Sequence, residues 1–218
     1  KTYADFDQDT HTPIQISQTI AQAMGPPFRC GVLMGANVAD EVARGEFCES
    51  TLACDYKNSN INEATRQIFH DQSTFRVQHC RDVAGAEVCG ALKNVVALGA
   101  GFIDGLGLGG NTKAALLRIG LLEMMAFAQT FFRDCHVQAS TFWQSCGMAD
   151  LITTCYGGRN RKCAAAFAAR QVASRGERYT SSRTSPDNCK RLWSDIETEL
   201  LQGQKLQGTL TAHEVYRV

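Results

Sequence analysis

Lys93 stands in Cys89-Gly90-Ala91-Leu92-Lys93-Asn94-Val95-Val96-Ala97, where all but one of its near neighbours are apolar or glycine. Burying a charged amine without a partner is expensive, and desolvation lowers its pKa. That is how a lysine becomes a proton-transfer group near neutral pH. The competing reading is a side chain that lays its stem on an apolar face and carries the amine out to solvent. The residues alone leave both open.

A second block runs from Cys146 to Lys162 and contains Asp150, Thr154, Gly157-Gly158 and Arg159-Asn160-Arg161. Asp150 and Thr154 are four apart, so on a helix they share a face. The glycine pair ends that helix, and Asn160 begins another running through 164–169. A helix start attracts anions through its free N–H groups and dipole, and Arg159 adds a planar fork suited to phosphate oxygens. The alternative is a solvated basic turn that caps a helix. Gly105, Gly107 and Gly110 satisfy G-x-G-x-x-G, but a dinucleotide fingerprint needs a second strand with an acidic end about 20 residues on. The long helical pattern of 112–132 follows instead, so the glycines are expected to form a loop between helices. Leu201–Gly208 reads as a polar loop before a closing helix at 211–218.

The elements that must position these groups change character along the chain. An amphipathic helix is expected at 13–25, and the apolar run 30–35, closed by glycine, suits a buried parallel strand. A helix or turn at 39–44, a strand at 50–54, a helix at 60–70 and an alternating strand at 75–79 follow. Strands alternating with helices indicate α/β architecture. From residue 84 the segments are long and helical, with no strand expected after 103. The expected fold class is therefore α/β followed by all-α, with domains at 1–82 and 83–218. Residues 174–190 are polar and expected to form a loop.

Net charge is zero, so nothing steers the whole molecule toward nucleic acid or an anionic membrane, and any anion site must be local. The apolar runs 95–102 and 119–132 fall short of the ~20 residues of a membrane span. The ten cysteines are scattered without a C-x-x-C, and the five histidines supply no paired metal ligands. Reduced structural thiols in the cytosol are expected. A start at Lys1 without Met or a signal sequence suggests a chain cut from a longer one.

Four blocks taken together resemble a known family: Val32–Ala39, Cys89–Ala115, Ala149–Lys162 and Gly203–Gly208. In order and spacing, with "ALKN", "ADLITTCYGGRNRK" and "QGQKLQG", they are similar to the cytosolic NAD-dependent glycerol-3-phosphate dehydrogenases, from Lys1 to Val218. The resemblance implies the C-terminal part of a Rossmann domain plus a helical domain like that of 6-phosphogluconate dehydrogenase. It implies NAD as cofactor, dihydroxyacetone phosphate and glycerol 3-phosphate as substrates, a homodimer and a cytoplasmic location. No nucleic acid or membrane partner is expected. It casts Lys93 as the catalytic proton donor, with Asn94, Asp150 and Thr154 supporting it. Arg159 and Asn160 match residues that grip the substrate phosphate, Arg159 also lying near the cofactor. Lys205, Gln207 and Ala39 match cofactor contacts, and Lys1 matches a lysine touching substrate.

This chain departs from the pattern in lacking the first strand–Gly-loop–helix unit and the family's last helices. It also carries Gly110 where relatives often have Asp, and a longer 174–190 loop. Two rivals remain: a non-catalytic remnant serving as a dimerisation or binding module, and a related dehydrogenase for another small phosphorylated or acidic substrate.

Overall fold

A computed structural model describes residues 14–174 and 185–217. The α/β portion comprises α1 (Ile16–Met24), β1 (Val32–Gly35), α2 (Ala39–Ala43), β2 (Cys48–Ala53), α3 (Ser59–Phe69) and β3 (Phe75–Cys80). The helical portion comprises α4 (Val83–Gly105), α5 (Gly110–Phe131), α6 (Asp150–Gly157), α7 (Arg159–Ser174), α8 (Pro186–Leu201) and α9 (Gln207–Tyr216). Two short 3-10 segments and one π-helical turn, Ser145–Ala149, connect α5 to α6.

The three strands lie in the order β1-β2-β3. β2 and β3 are parallel, with Thr51 opposite Gln78. β1 runs antiparallel to β2, with Met34 opposite Thr51, and Leu33 is exposed. This corrects the expectation of a buried parallel strand there. An apolar run shows that a strand packs on something, but its direction is set by which strand it pairs with. β2 is the central strand, and Ser50, Thr51, Leu52, Ala53 and Cys54 are buried.

Local chemistry starts the helices where they start. The Asn58 side chain accepts from Asn60 N at α3, and the Asp82 carboxylate accepts from Gly85 N at 2.7 Å at α4. Asp82 also accepts from Gln138 N (2.8 Å) and the Thr141 hydroxyl (2.7 Å), which ties the start of α4 to the segment before the π turn. α8 begins with Ser185 as cap and Pro186 in its first turn. The expected loop therefore stops at Ser185 on its C-terminal side, and the rest of it, 175–184, lies outside the described residues. α9 begins at Gln207, four residues before the expected 211.

α4 is the axis of the molecule, with α5, α6, α7 and α9 packed around it. Its Val88, Cys89, Leu92, Ala97 and Ala100 join Leu121, Met124, Phe142 and Leu151 in the main core. α7 and α8 close a second cluster around Ile196 and Leu206, where Phe167 stacks on Trp193 with ring centroids 4.4 Å apart. By length and composition α4 and α5 could each cross a bilayer, and 61% of the apolar window of α4 is buried inside the protein, against 22% for α5. Both helices outrun the apolar stretches read from sequence, because scattered glycines and single charges interrupt the pattern without ending the helix. Gly105 closes α4, Gly107 takes a left-handed φ of 68° and Gly110 opens α5, so the glycine-rich stretch is a helix-to-helix turn, as expected.

Candidate active site

Lys93 projects from the middle of α4 toward the first residue of α6. Its Nζ donates to Asp150 Oδ2 at 2.5 Å, with the lysine side chain 21% exposed and the aspartate 8%. The amine therefore does not run out to bulk water. It is held under the surface by one carboxylate. The Thr154 hydroxyl, one turn on along α6, donates to the other oxygen of Asp150 at 3.4 Å. Burial raises the Asp150 pKa, while the charge and hydrogen bond of Lys93 and the Thr154 hydroxyl pull against that rise.

A second network begins one residue further along α4, at Asn94, and reaches the first turn of α7. Asn160 Nδ2 donates to Asn94 Oδ1 at 2.9 Å, and Asn160 Oδ1 accepts from Gly208 N at 2.9 Å. Asn94 anchors its own amide on the Gly90 and Ala91 carbonyls. A Cβ at Gly208 would sit 2.7 Å from both Asn160 Oδ1 and the Asn94 carbonyl oxygen, so this approach admits only glycine. Asn160 is buried and both ends of its amide are engaged. What it can offer an anion is its backbone N–H in the first turn of α7, where helical N–H groups lack intrahelical acceptors.

Arg159, exposed at the start of α7, donates from Nη1 to Gln204 Oε1 at 2.9 Å. Lys205 donates from Nζ to Glu197 Oε2 at 2.6 Å, and the other Glu197 oxygen accepts from Leu206 N at 3.1 Å. The 202–206 loop is thus held from beneath by a buried carboxylate of α8, with Leu206 plugged into the core. Because Asn94 adjoins Lys93 and Asn160 adjoins Arg159, the chain brings the amine, the α7 start and this loop to one region.

The structure thus assembles Lys93, Asp150 and Thr154 as one set, and Asn94, Asn160, Arg159 and Lys205 as a second beside it. Ala39 and Gln207 open α2 and α9 with exposed side chains and join neither set. Ala39 follows the carboxyl end of β1, which, because β1 is antiparallel, lies beside the amino end of β2. Lys1 lies outside the described residues. Sequence reasoning missed Glu197, whose only signal is an acidic residue in a polar helix, and Gln204, which is indistinguishable from any loop glutamine. Among the described residues no group of His, Cys, Asp and Glu could hold a metal ion. The exposed cations Arg159 and Lys205 form a donor set that suits the anionic part of a dinucleotide, one side of which these residues could hold.

The architecture defines a protein class, the later part of a Rossmann-type α/β domain joined to a helical domain. Two family models match the chain: NAD-dependent glycerol-3-phosphate dehydrogenase C-terminus over residues 82–218, and the corresponding N-terminus over residues 7–60. The chain belongs to the NAD-dependent glycerol-3-phosphate dehydrogenase family. It is 48% identical over 206 residues to a glycerol-3-phosphate dehydrogenase [NAD(+)] of Cuphea lanceolata, covering 94% of this chain and 49% of that protein. It is also 48% identical over 203 residues to the cytoplasmic glycerol-3-phosphate dehydrogenase [NAD(+)] of Homo sapiens, covering 93% and 51%. The chain spans about half the length of the curated relatives it matches. Among solved structures, the Dunaliella salina enzyme superposes with a TM-score of 0.78 at 42% identity over 95% of this chain and 32% of that one. A Plasmodium falciparum glycerol-3-phosphate dehydrogenase superposes with a TM-score of 0.77 at 33% identity over 95% and 52%.

Proposed function

We propose that the protein interconverts dihydroxyacetone phosphate and NADH with glycerol 3-phosphate and NAD, in the cytoplasm and as a homodimer. On this reading residues 1–82 complete the cofactor-binding domain and 83–218 form the substrate domain. The observation that carries the proposal is the Lys93–Asp150 pair, an amine held under the surface by a single carboxylate within a family-matching segment. Cytoplasmic relatives and ten free cysteines support the location.

Reduction of a ketone leaves a developing alkoxide on the former carbonyl oxygen. The Lys93 ammonium stabilises that charge and then gives up its proton, and in the reverse direction the amine takes the proton from the alcohol. Asp150 fixes the amine in place, and Thr154 fixes the carboxylate by occupying its second oxygen. Arg159 and the free N–H groups of the first α7 turn hold the substrate phosphate away from the reacting carbon, so binding there sets the geometry at Lys93. Lys205, with Arg159 nearby and the backbone at Ala39, faces the cofactor, which when bound supplies or accepts the hydride.

The test is NADH oxidation driven by dihydroxyacetone phosphate, using protein expressed from its complete coding sequence. Lys93→Ala is expected to lower kcat on the order of 10²–10⁴-fold, the usual contribution of a positioned acid–base group. Wild-type turnover in the Lys93→Ala protein would remove the role assigned to this lysine.

A further inference from the structure

Asp150 does not sit at the start of an ordinary helix. The turn before it, Ser145–Ala149, is π-helical, a wider winding than the α-helix that continues from Asp150. Such a turn sacrifices standard hydrogen-bond geometry and needs outside partners to hold it. Here those partners come from the sheet. The Thr51 hydroxyl on β2 accepts from Cys146 N at 3.2 Å, and the Ser145 hydroxyl donates to the Glu49 carbonyl at 2.5 Å. Asn37 donates to that same carbonyl at 3.0 Å and accepts from the Ser50 hydroxyl at 2.6 Å, completing a polar clasp along one end of β2.

The rest of the turn is equally confined. A Cβ at Gly147 would collide with the Phe142 carbonyl, so only glycine fits there. Thr51, Cys146 and Cys89 have no exposed surface, and the Cys89 and Cys146 thiols neighbour each other in the core. Cys89 lies four residues before Lys93 on α4, and Cys146 lies four residues before Asp150. The thiol pair and the ion pair are therefore stacked about one turn apart between the same two elements. Whatever sets the height and rotation of Cys146 also sets how the Asp150 carboxylate meets the amine.

We infer that Thr51, a buried residue of the central strand, is a positioning residue for the Lys93–Asp150 pair, acting through the backbone of the π turn. It touches neither Lys93 nor Asp150. Its hydroxyl accepts from a buried backbone N–H of the π turn, which would cost free energy if left unpaired. A displacement at the turn passes to Asp150 along three residues of continuous helical backbone, of which Gly147 is buried and Met148 packs against the main core. The sheet on the cofactor side thereby sets the geometry of the proton donor on the substrate side. This inference rests on the function proposed above.

The experiment compares Thr51→Val, which keeps the shape and removes the hydroxyl, with Thr51→Ser, which keeps the hydroxyl, in protein from the complete coding sequence. Steady-state rates with dihydroxyacetone phosphate and NADH are taken from pH 6 to 9. Thr51→Val is expected to lower kcat by roughly tenfold, the scale of a small misplacement of a catalytic group. Its KM for dihydroxyacetone phosphate should stay within about twofold, and the pH profile of kcat should shift. Thr51→Ser should restore both kcat and pH profile. Equal impairment of the two variants, or an unchanged profile in Thr51→Val, overturns the inference. Should Thr51→Val fail to fold, Ser145→Ala loosens the same turn from its other tether, and an unchanged kcat and profile there overturns it equally. Lys93→Ala run alongside separates the two readings: if it keeps the wild-type rate, both fall, whereas an inactive Lys93→Ala beside an unaffected Thr51→Val sinks only the role of Thr51.

Discussion

Asp150 and Glu87 both lie beneath the surface, and burial pushes the pKa of each carboxyl upward. They differ in what opposes that push. Asp150 has the Lys93 ammonium against it, whereas the partners of Glu87 are the Ser17 backbone N–H at 3.0 Å and the Ser17 hydroxyl at 2.5 Å. By accepting from both, Glu87 caps the first turn of α1 and fastens it to α4, without meeting a full positive charge. With the folded-state pKa of Glu87 above its unfolded value, the folded protein holds its proton more tightly than the unfolded chain does. The associated stability is fully present below the unfolded pKa and is lost as pH rises through the folded one. Glu87→Gln keeps an acceptor for Ser17 and cannot ionise, so its urea midpoint should decline less than the wild type's between pH 4.5 and pH 8. Parallel profiles for the two proteins would show that the carboxylate is not titrating across that window.

At the scale of elements, the contact between α4 and α7 depends on having almost nothing between the backbones. Gly101 and Gly105, four apart on α4, face Ala164, Ala165 and Ala168 of α7, and a Cβ at either glycine would strike an α7 carbonyl oxygen. Gly101→Ala should therefore cost about 1–3 kcal/mol through overpacking, even though alanine is the better helix former. It should lower the thermal midpoint, and a midpoint equal to or above the wild type's would mean the helices can part without penalty. This seam illustrates what the sequence could and could not reveal. Alternating and helical periodicities located α3, β2, β3, α4 and α5 within a few residues, because each buries one face against a core. The pair Asp150 and Thr154 could be placed together because four residues is one helical turn. The direction of β1 was not legible, since an apolar run carries no record of its hydrogen-bonding neighbour. Nor was the π turn, because Ser145 and Gly147 take their meaning from the Glu49 and Phe142 carbonyls, which are far off in sequence or hidden in backbone geometry. The start of α8 was legible in principle, as Ser185-Pro186 is a capping signal, but the polar run before it masked the boundary.

For the whole molecule, ten cysteines in 218 residues could mean a crosslinked framework or a set of small apolar side chains, and the structure makes all ten free. Cys54, Cys89, Cys146, Cys155 and Cys163 are buried, while Cys30, Cys48, Cys80, Cys135 and Cys189 are partly exposed. Partial exposure does not guarantee reactivity, because the thiolate is the nucleophile and burial disfavours it. Cys80 illustrates the point: desolvation pushes its thiol up to about 12, as it does for the buried Cys155. Cys89 is pushed up by its hydrogen bond with Cys146 and by burial together. Isotope-coded alkylation read peptide by peptide can resolve these positions. In the native protein at neutral pH, label should enter the partly exposed Cys48 and Cys189 ahead of Cys30 and Cys135, whose thiols burial pushes up. Cys54, Cys80, Cys89, Cys155 and Cys163 should label only as the chain unfolds. In denaturant all ten should react at once, and prior treatment with a reductant should add none, since no disulfide stands to be opened. Early labelling of Cys89 would mean that the joint between α4 and the π turn opens on the timescale of the reagent, and that the Lys93–Asp150 pair one turn away is held far less firmly than its packing indicates.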